Sequence, residues 1–328
     1  MKKEKKKRRF WLSYLMVVLI LLISGAVLIP LLVLVPMQRN AAGARKGSAL
    51  LHSENETPVQ TETEAPRSYA AEIPHYDPSM TEYEGWVRSN GELFYLKNGG
   101  ALVGLQLIDG KYYYFDEHGV KAEALGVDVS TYSENIDWER VRRQGIGFAI
   151  VRTGGRGWSS GSIYGDVRCE GFLRGARKAG VKTGVYFYST AINEGEAVQE
   201  ADAVLRVLKG RALDLPVYVD VERSGEYPRG RADTLSAAAR SRIASAFCER
   251  IRSAGYEAGV YSGRYYYMTS LLPEALSRYS IWIAHYTEDR LPPSYKRFFD
   301  LWQYTESGNV DGICCGTDMN VMFSRPKQ

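Results

Sequence analysis

The sequence predicts a parallel α/β barrel, carried behind an apolar N-terminal segment, a polar linker and a small β-hairpin module. Three observations point there. Residues 125–323 hold about eight short strand-like runs, and the early ones alternate with stretches of helical periodicity. That count favours a closed barrel over an open doubly wound sheet. Two of the runs, Leu125–Ser130 and Pro216–Glu222, end in carboxylates. N-terminal to this, composition changes sharply several times, dividing the chain into 1–9, 10–37, 38–83, 84–123 and 124–328.

Residues 1–10 hold seven Lys/Arg and one Glu, so the rest of the chain sums to −2 although the whole carries +4. No basic domain remains to bind nucleic acid. Phe10–Met37 is a 28-residue uncharged apolar run, long enough to span a bilayer with tilt. The basic block ahead of it predicts a cytoplasmic N-terminus, a single-pass membrane anchor and an extracellular remainder. Small residues at Ser24-Gly25-Ala26 and Ala41-Ala42-Gly43-Ala44 leave cleavage and secretion as the alternative. Gln38–Tyr83 is rich in Thr, Glu, Pro, Ala and Ser and cannot bury a core, so it reads as a disordered linker. As a coil it would span roughly 40 Å.

Residues 84–123 carry Gly85-Trp86-Val87 and Leu93-Phe94-Tyr95, then Gly104-Leu105 and Tyr112-Tyr113-Tyr114-Phe115. Asn90-Gly91 and Asp109-Gly110 are hairpin turns between these aromatic strands, repeated at a period of 19. The stretch resembles about two units of the choline-binding type of cell-wall repeat. Leu93 and Leu105 replace aromatics of that pattern, which implies a degenerate wall-facing spacer or a weak glycan binder.

In the barrel region, strands are expected at Leu125–Ser130, Gly147–Arg152, Thr183–Ser189, Pro216–Glu222, Ala258–Ser262, Tyr279–His285, Phe299–Tyr304 and Gly316–Met322. Helices are expected at Ile136–Gln144, Val167–Ala179, Glu194–Lys209 and Ser236–Ala254. In the third of these, Ala197, Val198, Ala201, Val204, Leu205 and Leu208 form one buried face.

Alternation along Pro216–Glu222 puts Val217, Val219 and Val221 on one side and Tyr218, Asp220 and Glu222 on the other. Carboxylates two residues apart on one strand face lie about 7 Å apart, close enough to raise each other's proton affinity. Asp128 ends the first strand in the same way, and Asp318 lies on the last. In a closed barrel those strands are neighbours, so Asp128, Asp220, Glu222 and Asp318 would share one face. A crowded carboxylate set suits glycoside hydrolysis, in which one acid must stay protonated near neutral pH. Other chemistries fit less well. His285 is the one histidine in residues 124–328, too few for a zinc hydrolase. Gly157-Trp158-Ser159-Ser160-Gly161 matches G-x-S-x-G but sits in a Gly/Ser-rich loop without the strand–turn–helix context. The four cysteines, Cys169, Cys248, Cys314 and Cys315, form no metal-binding spacing and read as buried free thiols, with a Cys169–Cys248 bridge as the alternative. No cofactor, metal or protein partner is implied.

Gly126-Val127-Asp128-Val129-Ser130, Ile136-Asp137-Trp138, Gly147–Arg152, Ala179–Phe187, Val219-Asp220-Val221-Glu222, Ile281-Trp282-Ile283-Ala284, Leu301-Trp302-Gln303-Tyr304 and Asp318-Met319-Asn320 occur in one order. Together they resemble glycoside hydrolase family 25, the lysozymes that cut peptidoglycan between N-acetylmuramic acid and N-acetylglucosamine. The resemblance implies an irregular TIM-like (β/α)5(β)3 barrel. It implies Glu222 as proton donor, Asp220 as its partner, and Asp128 and Asp318 completing the acidic site. Tyr186, Tyr188, Arg152, Tyr261 and Trp302 would line the sugar groove. Thr153-Gly154-Gly155-Arg156-Gly157 departs from the Thr-Glu-Gly-like turn frequent in the family, and Tyr188 stands where many members have a His-Phe or Phe-Phe run nearby. Both departures bear on subsite preference and not on the carboxylates. Asp-x-Glu on one strand also resembles the chitinase arrangement, where the substrate's own acetamide attacks the anomeric carbon. Substrate assistance is therefore favoured, with inversion by water as the alternative. A catalytically inactive barrel that binds peptidoglycan is the rival reading.

Overall fold

Eight strands close into a barrel in the computed structural model, which describes residues 83–224, 229–287 and 299–323. The expected basic stub and membrane segment, and all but the last residue of the expected linker, lie outside the described residues. Among the described residues no helix is long and apolar enough to cross a membrane.

Residues 83–123 form hairpins. β1 (Gly85–Ser89), β2 (Glu92–Lys97) and β3 (Gly100–Ala101) make one small antiparallel sheet, and β4 (Gly104–Ile108) pairs with β5 (Lys111–Phe115) in another. The expected turns are there: Asn90 and Gly91 have φ of 49° and 86°, Asp109 and Gly110 of 49° and 74°. Positive φ at both central residues matches the twist of the flanking strands, and Asn, Asp and Gly tolerate it.

The barrel begins at β6 (Ala124–Val129) and continues through α1 (Trp138–Arg143), β7 (Ile146–Arg156), β8 (Ile163–Gly165), α2 (Cys169–Lys178), β9 (Lys182–Tyr188) and α3 (Glu194–Leu208). Then come β10 (Val217–Asp220), α4 (Ala237–Ser253), β11 (Ala258–Gly263), α5 (Arg264–Ser270), α6 (Pro273–Leu276), β12 (Ser280–Ala284), β13 (Leu301–Gly308) and β14 (Thr317–Met322). Strands β6, β7, β9, β10, β11, β12 and β13 run parallel, and β14 closes the ring antiparallel to both β13 and β6. Five strand–helix units and three further strands result. Helix starts follow capping residues: Asp137, Asn193 and Ser236 each accept a hydrogen bond from a backbone N–H of the first turn.

Three features of the secondary structure depart from the sequence reading. β10 stops at Asp220, so Glu222 lies in the loop just beyond the strand. β7 runs on to Arg156 because its end pairs with β8 as a hairpin. Helices α5 and α6 follow β11, where the sequence offers only a short polar and aromatic run. Cys169 and Cys248 are buried free thiols as expected, whereas Cys314 and Cys315 are exposed.

The barrel has two cores. Inside, Phe148, Ile150, Tyr218, Tyr261, Trp282, Leu301 and Met322 fill the ring. Trp282 is the central plug, its ring centroid 4.3 Å from that of Tyr261 and 5.3 Å from that of Tyr218. Large rings fit because glycines face them: a Cβ on Gly126 would overlap Phe148, and one on Gly259 would overlap Tyr218. Outside, Val127, Val129, Val217 and Val219 pack beneath the helices.

The β4–β5 hairpin covers the end of the barrel where the strands begin. Its Tyr112 N–H donates to the Gln144 carbonyl at 2.8 Å, just ahead of β7. Tyr114 is fully buried, with its ring edge-on to Trp302 at 5.7 Å and to Phe323 at 6.2 Å. Replacing so large a ring leaves a cavity. Tyr114→Ala is therefore expected to cost about 3 kcal/mol, read as a lower urea midpoint with an unchanged slope.

Candidate active site

Strand alternation and ring closure bring the four expected carboxyl groups, and Glu306 with them, to one polar cavity of about 240 Å³. Asp128 and Asp318 face each other directly across the β6–β14 pair. Asp220 ends β10 and Glu222 follows it, both on the wall of the same cavity. Tyr186, Tyr261, Trp282, Tyr286, Gln303 and Glu306 complete the lining. All of this lies where the parallel strands end, the usual place for barrel chemistry.

Asp128 is held from two sides. Gln303 Nε2 donates to its Oδ2 at 2.8 Å, and Asn320 Nδ2 donates to the same oxygen at 2.9 Å. Gln303 Oε1 in turn accepts from the hydroxyls of Tyr261 and Tyr286, both at 2.8 Å. Asn320 Oδ1 accepts from Trp282 Nε1 at 2.8 Å. The central plug and the acid are thus one hydrogen-bonded assembly. Asp220 differs: its Oδ1 is buried and has no hydrogen-bond partner. Such an atom ordinarily costs stability, so its retention asks for a reason.

Burial governs the charges. It pushes Glu222 up to about 7, helped by the neighbouring Asp318 charge. It pushes Asp318 up to about 8, helped by the Asp128 charge and the hydrogen bond between the two acids. Asp220 is also raised well above the usual carboxylate range by burial, then by Glu222 and Asp128, with Arg152 opposing. Asp128 is raised by burial, against the hydrogen bonds from Asn320 and Gln303. Near neutral pH the cluster therefore holds protons as well as charge, and Asp318 can donate to Asp128.

The other expected groove residues divide. Tyr186 and Tyr261 line the cavity, Tyr261 mainly as a clamp on Gln303. Tyr188 lies opposite Asp220 in the β9–β10 register, its phenol pushed up to about 12 by burial. Arg152 is engaged by Asp166, Nε to Oδ2 at 2.9 Å, beneath the exposed ring of Tyr132 at 5.0 Å. Trp302 does not line the groove. It is fully buried on the outer face of β13, against Tyr114, and its Nε1 donates to the His285 carbonyl at 2.8 Å. Leu301 and Gln303 point inward, so Trp302 between them must point out. Sequence reasoning missed Gln303, Asn320, Trp282 and Tyr286. A polar residue in phase with an inward-facing acid, as Asn320 is with Asp318, was the available signal. Among the described residues no group of three or more His, Cys, Asp or Glu is arranged to hold a metal ion.

A closed α/β barrel with buried carboxyl groups at its mouth is the build of a glycoside hydrolase. Residues 127–313 match the family described as Glycosyl hydrolases family 25, and the chain belongs to it. It is 30% identical over 203 residues to an uncharacterized protein, YegX, of Escherichia coli K12, covering 60% of this chain and 68% of that protein. It is 26% identical over 198 residues to an autolytic lysozyme of Clostridium acetobutylicum, covering 60% of this chain and 54% of that one. The fold is similar to that of the modular autolysin LytC from Streptococcus pneumoniae, with a TM-score of 0.57 at 24% identity over 73% of this chain. The chain spans only 58% of that autolysin's length. It is also similar to a family 25 glycosyl hydrolase from Bacillus anthracis, with a TM-score of 0.52 at 22% identity over 62% of this chain and 90% of that one.

Raised carboxyl groups give a testable sign. The unfolded chain releases these protons near 3.8 and 4.5, whereas the native state holds those of Asp318 and Glu222 to about 8 and about 7. The native state therefore binds more protons in that window, and its stability falls as pH rises through it. The urea midpoint should drop from about pH 5 to about pH 8, and Asp318→Asn should flatten the drop.

Proposed function

We propose that this chain is a peptidoglycan muramidase that hydrolyses the β-1,4 bond between N-acetylmuramic acid and N-acetylglucosamine. The observation that carries the reading is the unpartnered Oδ1 of Asp220 on the wall of the Glu222 cavity. A buried acceptor of this kind suits the N–H of a substrate acetamide, which both sugars of the polymer carry. Held there, the acetamide carbonyl oxygen is turned toward the anomeric carbon. It attacks as Glu222 gives its proton to the leaving oxygen, forming a cyclic oxazolinium on the substrate. Glu222, now a carboxylate, takes a proton from water as the water opens that ring, and the configuration is retained. Asp128, fixed by Gln303 and Asn320 and bonded to Asp318, supplies a rigid polar floor. Tyr186 and Tyr188 offer ring surface to the sugars.

The same reading takes residues 10–37 as a membrane anchor, with residues 124–328 held outside by a linker, and residues 84–123 as a wall-facing repeat. The uncharged apolar run of residues 10–37, the basic block ahead of it and the aromatic hairpins of residues 84–123 support this arrangement.

The test is to incubate the protein and its Glu222→Gln variant with insoluble peptidoglycan, reduce the products with borohydride and weigh them. Reduced muramic acid ends with the native chain, lowered about 10³-fold in Glu222→Gln, are expected. Reduced glucosamine ends would mean that the other bond is cut. No soluble product, with the chain sedimenting on the wall, would make it a binding module. Asp220→Asn should lose turnover about as severely, since the amide is a weaker acceptor and can turn its NH2, a donor, toward the acetamide N–H. The rate should also fall as pH rises past about 7, where Glu222 loses the proton it must donate.

A further inference from the structure

Beside the acidic cavity lies a larger one, of about 710 Å³, that shares Glu222 and Tyr286 with it. Its charge is opposite. Arg223, Arg229, Arg240 and Arg264 all line it, together with His285. They come from the segments that follow β10, β11 and β12 and from α4, so the basin opens on the same face of the barrel as the acids.

Three of these arginines, Arg223, Arg229 and Arg240, are not consumed by acids: among the described residues no carboxylate lies within ion-pair distance of them. The one other acid in the lining besides Glu222 is Asp233, and its two oxygens accept from the backbone N–H groups of Ser224 and Gly230 at 3.0 and 2.7 Å. Arg240 is about nine-tenths buried. Its terminal nitrogens donate to backbone carbonyls, the shortest to Asp233 at 2.9 Å, and its Nε has no partner at all. Nor do the arginines set the acid: the proton affinity of Glu222 follows burial and Asp318. Among the described residues this buried guanidinium donor, in a basin lined by further arginines, has no anion to answer it.

We infer that this basin is a subsite for carboxylate groups of the peptide borne on the muramic lactyl ether, next to the bond being cut. The inference rests on the muramidase reading. Arginine forks match carboxylate geometry, and low-dielectric walls strengthen the attraction. The exposed Tyr265 and the half-buried Tyr266, stacked under Arg240 at 5.2 Å, supply ring surface for the peptide backbone. The enzyme then selects strands that still carry their peptides.

Two measurements on the full chain test it. In the first, kcat/KM is compared on peptide-bearing glycan and on glycan stripped of peptide by an amidase. The native chain should favour the peptide-bearing polymer by about tenfold, and Arg223→Gln/Arg229→Gln should bring that ratio close to one. An equal ratio in both proteins overturns the proposal. In the second, the Glu222→Gln chain is titrated calorimetrically with a soluble stem peptide and with inorganic phosphate. The peptide should bind, about tenfold more weakly after the two arginine changes. Peptide binding unaffected by those changes, or phosphate binding without peptide binding, overturns it. Arginine-dependent peptide binding with neither polymer cut would support the subsite while removing the muramidase reading.

Discussion

Taking four carboxyl groups out of water is the constraint from which the rest of the site follows. A buried carboxylate pays a desolvation cost that only hydrogen bonds, nearby cations or retained protons can offset. All three occur here. Asp128 is satisfied by Gln303 and Asn320, Asp220 is near the Arg152 charge, and Glu222 and Asp318 keep their protons to higher pH. The polar partners are themselves fixed by aromatic groups of the inner core, Tyr261 and Trp282. Packing and proton affinity are therefore the same design problem: loosening the plug would let water in and return the acids to ordinary values.

A second buried ionic assembly supports the barrel beside the acids. Arg156, at the end of β7, donates Nε to Glu200 at 2.7 Å, and Ser189 donates to the other oxygen of Glu200 at 2.6 Å. Burial pushes Glu200 up to about 7 despite these partners. Arg231, in the segment after β10, reaches Glu196 at 2.9 Å and the Thr190 carbonyl at 3.2 Å. Each charge in this group is paired with an opposite one, whereas Asp220 Oδ1 and Arg240 Nε have no hydrogen-bond partner. The groups that tie β7, α3 and the segment after β10 together are thus fully answered, while the two cavities each keep an unanswered polar atom on their walls.

Much of the barrel was legible because each strand has a period of two and each helix a buried stripe. Asp128 and Asp220 sit between outward valines, so their inward direction could be read from Val127, Val129, Val217 and Val219. Leu301-Trp302-Gln303-Tyr304 could not be read in that way. A barrel strand is buried on both faces, so polarity does not reveal which side is inside. An aromatic ring suits either layer, and only closure of the ring assigns Trp302 to the helix side and Gln303 to the acids. The basin of arginines was equally hidden. Arg223, Arg240 and Arg264 lie on three separate segments, and no local pattern says that they converge.

Ring closure also has a consequence in time. Asp128 and Asp318 meet although 190 residues separate them, and β14 can pair with β6 only when nearly the whole barrel sequence exists. Contacts so distant in sequence form late and slowly. A chain emerging from its N-terminal side has Asp128, Asp220 and Glu222 long before it has the strand that completes their enclosure. The acidic site is thus finished by the last strand of the barrel: a chain cut short before Thr317 would carry Asp128, Asp220 and Glu222 without Asp318 or Asn320.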